Sequence, residues 1–223
     1  MSNQYILDLL LYSPSIEDYS SLEYSNKVIL NQKILNEIMN NNIQEDTMIF
    51  KLWSQSDIGY YETFVSVHDF TASDDKIYVP FRIAEELFVN RDDFINIEYY
   101  IPPKANYIKL KPNQKEFYNI IDVKDFLGNH IKKYYPVLKK DSIISIPYYD
   151  SIIELVIKDI KPFDVVTTID TDIQVEFEPF NEVDTHNVNV SNSTNIHDDI
   201  QSYDKKMDEW YPFCGIGHRL GNK

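Results

Sequence analysis

Thr47-Met48-Ile49-Phe50-Lys51-Leu52-Trp53, Tyr60-Tyr61-Glu62-Thr63-Phe64-Val65-Ser66-Val67-His68 and Lys76-Ile77-Tyr78-Val79 are the three runs that decide the class of this fold. Each is rich in aromatic and β-branched residues, and Thr63-Phe64 followed by Val65-Ser66 shows the polar–apolar alternation of a half-buried strand. Asp69–Asp75 between the second and third runs reads as a polar turn. Separate short strands with few helices between them point to a β-barrel or an α+β unit, not to a doubly wound parallel sheet.

Working outward, Lys27–Leu30 is a further short apolar strand. Asn31 is placed to cap a helix to about Asn40, with Ile34, Leu35, Ile38 and Met39 on one side. Residues 1–26 are mixed and rich in Ser and Tyr, and residues 1–19 read as a leader. Pro80 opens a short helix whose apolar side is Ile83, Leu87 and Phe88. Asp92–Ile101 is extended, Pro102-Pro103 breaks it, and Tyr107–Leu110 resumes it.

The texture changes near Lys111-Pro112-Asn113, so residues 20–113 and 114–180 read as two units. In the second, Val123, Phe126, Leu127, Ile131 and Tyr134 recur at helical spacing, with Asp122 placed to cap. Strands follow at Ser142–Ile146, Ser151–Ile160, Val165–Thr168 and Ile173–Phe177, with Tyr148-Tyr149-Asp150-Ser151 as a hairpin turn. The expected class is therefore α+β and β-rich. From Asn181 to about Glu209 Asn, Ser, Asp, Thr and His dominate, too polar a composition to bury a core, so 181–223 reads as a flexible tail.

Net charge is −15, from 36 acidic and 21 basic residues. This disfavours nucleic acid, which needs a basic face, and anionic membrane surfaces. It suits a basic protein partner or solubility alone. Cys214 is the only cysteine, so no internal disulfide is expected, which suits a reducing compartment, cytoplasmic or nuclear. The apolar run before Tyr12 contains Asp8 and lacks a basic flank, so no signal peptide is expected, and the Asn189 and Asn192 sequons carry no weight. No apolar run reaches the roughly 18 residues of a membrane span.

Catalytic and cofactor readings fail on context. Gly215-Ile216-Gly217 lacks the strand, the helix and the glycine spacing of a dinucleotide loop. Cys214 and His218 lie in a tail without the rigid scaffold and orienting group that a nucleophile pair needs. His186, His197, Asp198 and Asp199 match no compact metal site. His68 and His130 are isolated and read as satisfied surface or boundary histidines. Asp74-Asp75, Asp92-Asp93 and Asp198-Asp199 fit turns, element ends or the tail, and Lys132-Lys133 and Lys139-Lys140 fit a solvated face. The expectation is a protein without catalytic residues, metal or cofactor.

Three of the chain's five glycines lie in its last nine residues, in Phe213-Cys214-Gly215-Ile216-Gly217-His218-Arg219-Leu220-Gly221. Phe-x-Gly-x-Gly-x-x-Leu-Gly arises by chance in on the order of 10⁻⁴ to 10⁻³ of chains this long. It resembles the SHP box, which binds the N-terminal domain of the AAA ATPase valosin-containing protein. Phe213 and Leu220 would be apolar anchors, Gly215, Gly217 and Gly221 would give the backbone clearance to lie on a receptor as an added strand, and Arg219 would meet an acidic patch.

The resemblance continues through Lys27-Val28-Ile29-Leu30, Met48-Ile49-Phe50-Lys51-Leu52, Ile77-Tyr78-Val79-Pro80 and Leu110-Lys111-Pro112 through Phe117. It extends to Val123–Leu127, Asp141–Ile146, Ile153–Ile157, Lys161-Pro162 and Ile169–Phe177. In that order and spacing they are similar to the ubiquitin fusion degradation protein 1 family. The resemblance implies a double-psi β-barrel followed by a smaller α+β unit that together bind ubiquitin or polyubiquitin. It further implies a tail that recruits the ATPase, a nuclear protein localisation 4-like partner, and delivery of ubiquitylated proteins for degradation. Family members usually continue past this box into a partner-binding segment and a second box, whereas this sequence stops at Lys223. That difference motivates a second expectation, a relative that docks on the ATPase and competes with the normal adaptor.

Overall fold

The computed structural model describes residues 3–14, 19–40, 48–73, 75–180 and 218–220. The first unit is built from six strands: β1 (Asn3–Leu9), β2 (Lys27–Asn31), β3 (Ile49–Ser56), β4 (Gly59–Ala72), β5 (Lys76–Val79) and β6 (Phe94–Tyr99). They close into a barrel in the order β1-β5-β2-β4-β3-β6. β1 runs parallel to β5 and β2 parallel to β4, while the remaining neighbours are antiparallel. A closed barrel of mixed direction is consistent with the double-psi expectation. Alternate residues point inward, so Phe50 and Leu52 of β3 join Leu7, Val28, Leu30, Val65, Ile77 and Ile95 in one core.

The expected leader is in fact part of this barrel. Tyr5 and Leu7 are buried, and β1 is bonded to β5 and β6. Its polar interruption, Asp8, is almost fully buried and ionically satisfied: Lys76 Nζ lies 2.7 Å and Arg91 Nε 2.9 Å from its carboxylate. The polar turn is also shorter than expected, because β4 continues to Ala72 before the chain reverses into β5.

Short helices fill the connections: α1 (Ser20–Glu23), α2 (Gln32–Asn40) and α3 (Phe81–Glu86). Asn31 caps α2 as expected, its Oδ1 accepting from the Ile34 amide at 3.2 Å. Ile34 and Ile38 enter the core, whereas Met39 stays exposed. On α3, Ile83 is buried and Leu87 follows it inward, but Phe88 turns out to solvent at a left-handed φ of 51°.

The second unit begins earlier than residue 114. β7 (Tyr107–Pro112) pairs with strands of the second sheet, so the crossing falls before Tyr107. After β7 come α4 (Val123–Tyr134), β8 (Val137–Lys139), β9 (Ile143–Tyr148), β10 (Ser151–Lys161), β11 (Val165–Thr167), β12 (Ile173–Phe177) and β13 (His218–Leu220). The main sheet has the order β13-β12-β7-β10-β9, and β11 and β8 form a separate ribbon. Asp122 caps α4, accepting from the Asp125 amide at 3.3 Å. Val123, Leu127 and Ile131 of α4 then cover Leu110, Ile144, Leu155, Ile173 and Val175 of the sheet, with Phe117 fully buried among them. Pro147 lies in β9, which has only β10 as neighbour, the place a sheet tolerates a residue without an amide hydrogen.

The two units touch through a small apolar cluster, Ile49 and Phe64 from the barrel with Val137 and Val165. Asn26 is buried in the same seam, its side-chain amide donating to the Val137 carbonyl and its backbone amide to the Tyr134 carbonyl at 3.1 Å. Lys139 crosses in the other direction and donates to the Glu62 carbonyl at 2.8 Å.

Among the described residues seven non-glycine residues have left-handed φ, and five are aspartates: Asp75, Asp92, Asp122, Asp141 and Asp170. A short acceptor side chain that bonds locally makes that conformation less costly than for other L-residues.

Candidate functional site

The anchor segment is described over His218–Leu220, where it forms β13. β13 runs antiparallel to β12, with Leu220 opposite Ile173, Arg219 opposite Gln174 and His218 opposite Val175. Residues directly opposite in an antiparallel pair share a face of the sheet. Positions 220 and 218 therefore fall on the face of Ile173 and Val175, which are buried beneath α4, and position 219 falls on the face of exposed Gln174. Of the box, Arg219 and Leu220 are thus placed, while Phe213, Gly215, Gly217 and Gly221 lie outside the described residues, as does the expected tail over 181–217.

The host strand is held firmly on its other side. β12 pairs in parallel with β7, Gln174 opposite Tyr107 through Phe177 opposite Leu110. Glu176 accepts from the Tyr107 hydroxyl at 2.7 Å and lies 3.6 Å from Lys109 Nζ. Burial, reinforced by the neighbouring Glu176 carboxylate, pushes the Tyr107 hydroxyl up to about 12, so it remains a donor at any physiological pH. Sequence reading did not single out this pair, since two strands 60 residues apart leave no local trace of their pairing.

The titratable groups weighed from sequence occupy structural positions. Asp75 pairs with Lys33 at 2.9 Å, Asp93 accepts from the Asn90 amide at 2.7 Å, and Asp92 flanks Lys76 and Arg91. Lys133 lies over the Tyr134 ring, and Lys139 bridges the units instead of lining a solvated face. His68 is a surface histidine beside Asp69. His130 lies at the boundary: its ring packs on Tyr134 with centroids 4.7 Å apart, and its buried Nε2 has no hydrogen-bond partner among the described residues. Burial pushes it down to about 4, so it is neutral near pH 7. His186, His197, Asp198, Asp199 and Cys214 lie outside the described residues.

Two further features were not legible in sequence. A water-sized cavity of about 20 Å³ opens in the seam between the units, lined by Asn26, Thr63, Arg82, Glu86 and Tyr135 among others. Ile58 and Tyr60 are exposed at the β3–β4 turn, and Phe88, exposed after α3, stacks on Tyr61 at 4.3 Å.

The two units correspond to two consecutive family models. "Ubiquitin fusion degradation protein UFD1, N-terminal subdomain 1" matches residues 5–103, and "N-terminal subdomain 2" of the same protein matches 104–180. The chain belongs to the ubiquitin fusion degradation protein 1 family. The Caenorhabditis elegans ubiquitin fusion degradation protein 1 homolog is 32% identical over 160 residues, 72% of this chain and 46% of the relative. The Schizosaccharomyces pombe ubiquitin fusion degradation protein 1 is 26% identical over 166 residues, 73% and 47% respectively. The human ubiquitin recognition factor in ER-associated degradation protein 1 is 26% identical over 209 residues, 92% and 66%. The aligned part amounts to about half the length of the first two relatives.

Proposed function

We infer that this chain is a non-enzymatic adaptor of ubiquitin-dependent protein degradation. Its folded units bind ubiquitin or polyubiquitin, and residues 213–221 dock on the N-terminal domain of a AAA ATPase of the valosin-containing-protein type. The observation that carries this reading is a succession: two subdomains of one ubiquitin-pathway family over residues 5–180, followed by the Phe-x-Gly-x-Gly-x-x-Leu-Gly segment. The names of the relatives, among them a ubiquitin recognition factor, support the ubiquitin half. The pairing of Asp8, Asp75 and Asp93 within structural networks supports a binding role over an acid–base one. A nuclear protein localisation 4-like partner and residence in the cytoplasm or nucleus complete the reading.

Docking is tested by titrating the chain against the isolated ATPase N-terminal domain. Truncating two buried anchors, Phe213→Ala with Leu220→Ala, should weaken binding by about 30-fold or more. Unchanged affinity would sink the docking half. Titration with mono- and polyubiquitin, read by NMR, should shift amides within residues 5–180, and a spectrum without shifts would remove the ubiquitin half. In a substrate-unfolding assay an adaptor stimulates turnover, whereas dose-dependent inhibition identifies a competitor.

A further inference from the structure

We propose that the free edge of β12 is a strand-accepting surface whose resident occupant is the chain's own His218–Leu220, so that docking on the ATPase requires this segment to leave β12. The proposal rests on the reading of residues 213–221 as the docking segment. Three observations carry it. First, the second sheet has two ends, and they differ. β9 at one end contains Pro147, which breaks the row of amide donors that an added strand would need. β12 at the other end contains no proline, and a strand is paired there.

Second, the occupant is hemmed in. Position 220 stands opposite Ile173 on the face covered by α4, and β13 lies close to that helix. A segment already paired along one edge with β12 and flanked by α4 leaves a receptor no room to enclose it, so the two engagements exclude each other even though a strand has two edges. Third, β13 spans only three residues. So short a ladder holds few hydrogen bonds, and tethering within one chain spares it the entropy of association. It can therefore form in the free chain and yield to a receptor that also takes Phe213.

Amide hydrogen exchange at Ile173 and Val175 tests both parts, since the intervening Gln174 amide is bonded to the Asn106 carbonyl on the β7 side. A chain truncated after Gly217 should exchange there about ten times faster than the intact chain, since local protection follows local pairing. Equal exchange overturns the cis pairing, whatever the ATPase does. Adding the isolated ATPase N-terminal domain to the intact chain should raise exchange at Ile173 and Val175 to the level of the truncated chain. If the domain binds and these amides stay protected, the exclusion is overturned. If the domain does not bind, the docking reading fails, and with it the exchange between two sites. The comparison with the truncated chain then still decides whether β12 accepts the strand.

Discussion

In the barrel every strand has two neighbours, because β6 returns to β1. In the second sheet β9 has one neighbour, and β12 would have one without β13. A closed ladder offers no backbone to a partner, so recognition on the barrel has to use side chains and loops, such as exposed Ile58 and Tyr60 at the β3–β4 turn. The open sheet can be extended by a strand. The two units thus differ in the kind of partner that each can engage, although both rest on apolar cores of similar make-up.

Their separateness can be challenged directly. Phe117→Ala in the second core should cost about 3–5 kcal/mol, and Leu52→Ala in the barrel about 2–5 kcal/mol. Both side chains are fully buried. Each variant is expected to lower one shared unfolding transition, because Asn26, Lys139 and the Ile49–Phe64–Val137–Val165 cluster tie the units together. Two calorimetric transitions, each moved by only one variant, would break that view. Asn26→Ala should cost about 1–3 kcal/mol, by leaving the Val137 carbonyl without its donor. Calorimetry should show the transition broadening as the units begin to part, and an unchanged profile would remove Asn26 from the seam.

Acid should lower the shared transition first through a group of the second unit. Unfolded, an imidazole takes its proton near 6.5; folded, His130 takes it only at about 4. Between these values the unfolded chain binds more protons, so stability is complete above 6.5 and declines as pH falls toward 4. Because the ring is only half-buried, solvent screening leaves an effect on the order of 1–2 kcal/mol. His130→Leu should flatten this slope in denaturation profiles taken from pH 7 to 4, and a slope unaltered by the substitution would reassign the sensitivity. Asp8 acts lower. Burial opposes its ionisation, but the Lys76 hydrogen bond, the Leu9 amide and the charges of Lys76 and Arg91 outweigh that and hold it below the usual carboxylate range. Its contribution to the barrel is therefore lost only as pH falls through that lowered value.

Most strands were legible because their apolar runs are long and bounded by turn residues; Lys76–Val79 and Ile173–Phe177 match to the residue. The capped helices were legible for the same local reason, Asn31 and Asp122 standing just ahead of apolar residues at helical spacing. What escaped was what distant residues decide. Asn3–Leu9 is a strand because Lys76 and Arg91 compensate Asp8, and neither lies near it in the chain. Tyr107–Pro112 belongs to the second unit because it pairs with Leu155–Lys161, a choice its own composition does not express. The glycine-rich segment at 213–221 was readable as a motif, but the pairing of His218–Leu220 with β12 was not, since a ladder is made of backbone atoms common to every residue.

The left-handed aspartates change the meaning of the chain's acidity. Among the described residues five aspartates stand where the backbone has to bend through positive φ, in a sequence with only five glycines. Their negative charge comes with the geometry of the corners they make. Part of the net charge of −15 is therefore tied to the bends of a glycine-poor chain, and it could not be removed without also changing those corners.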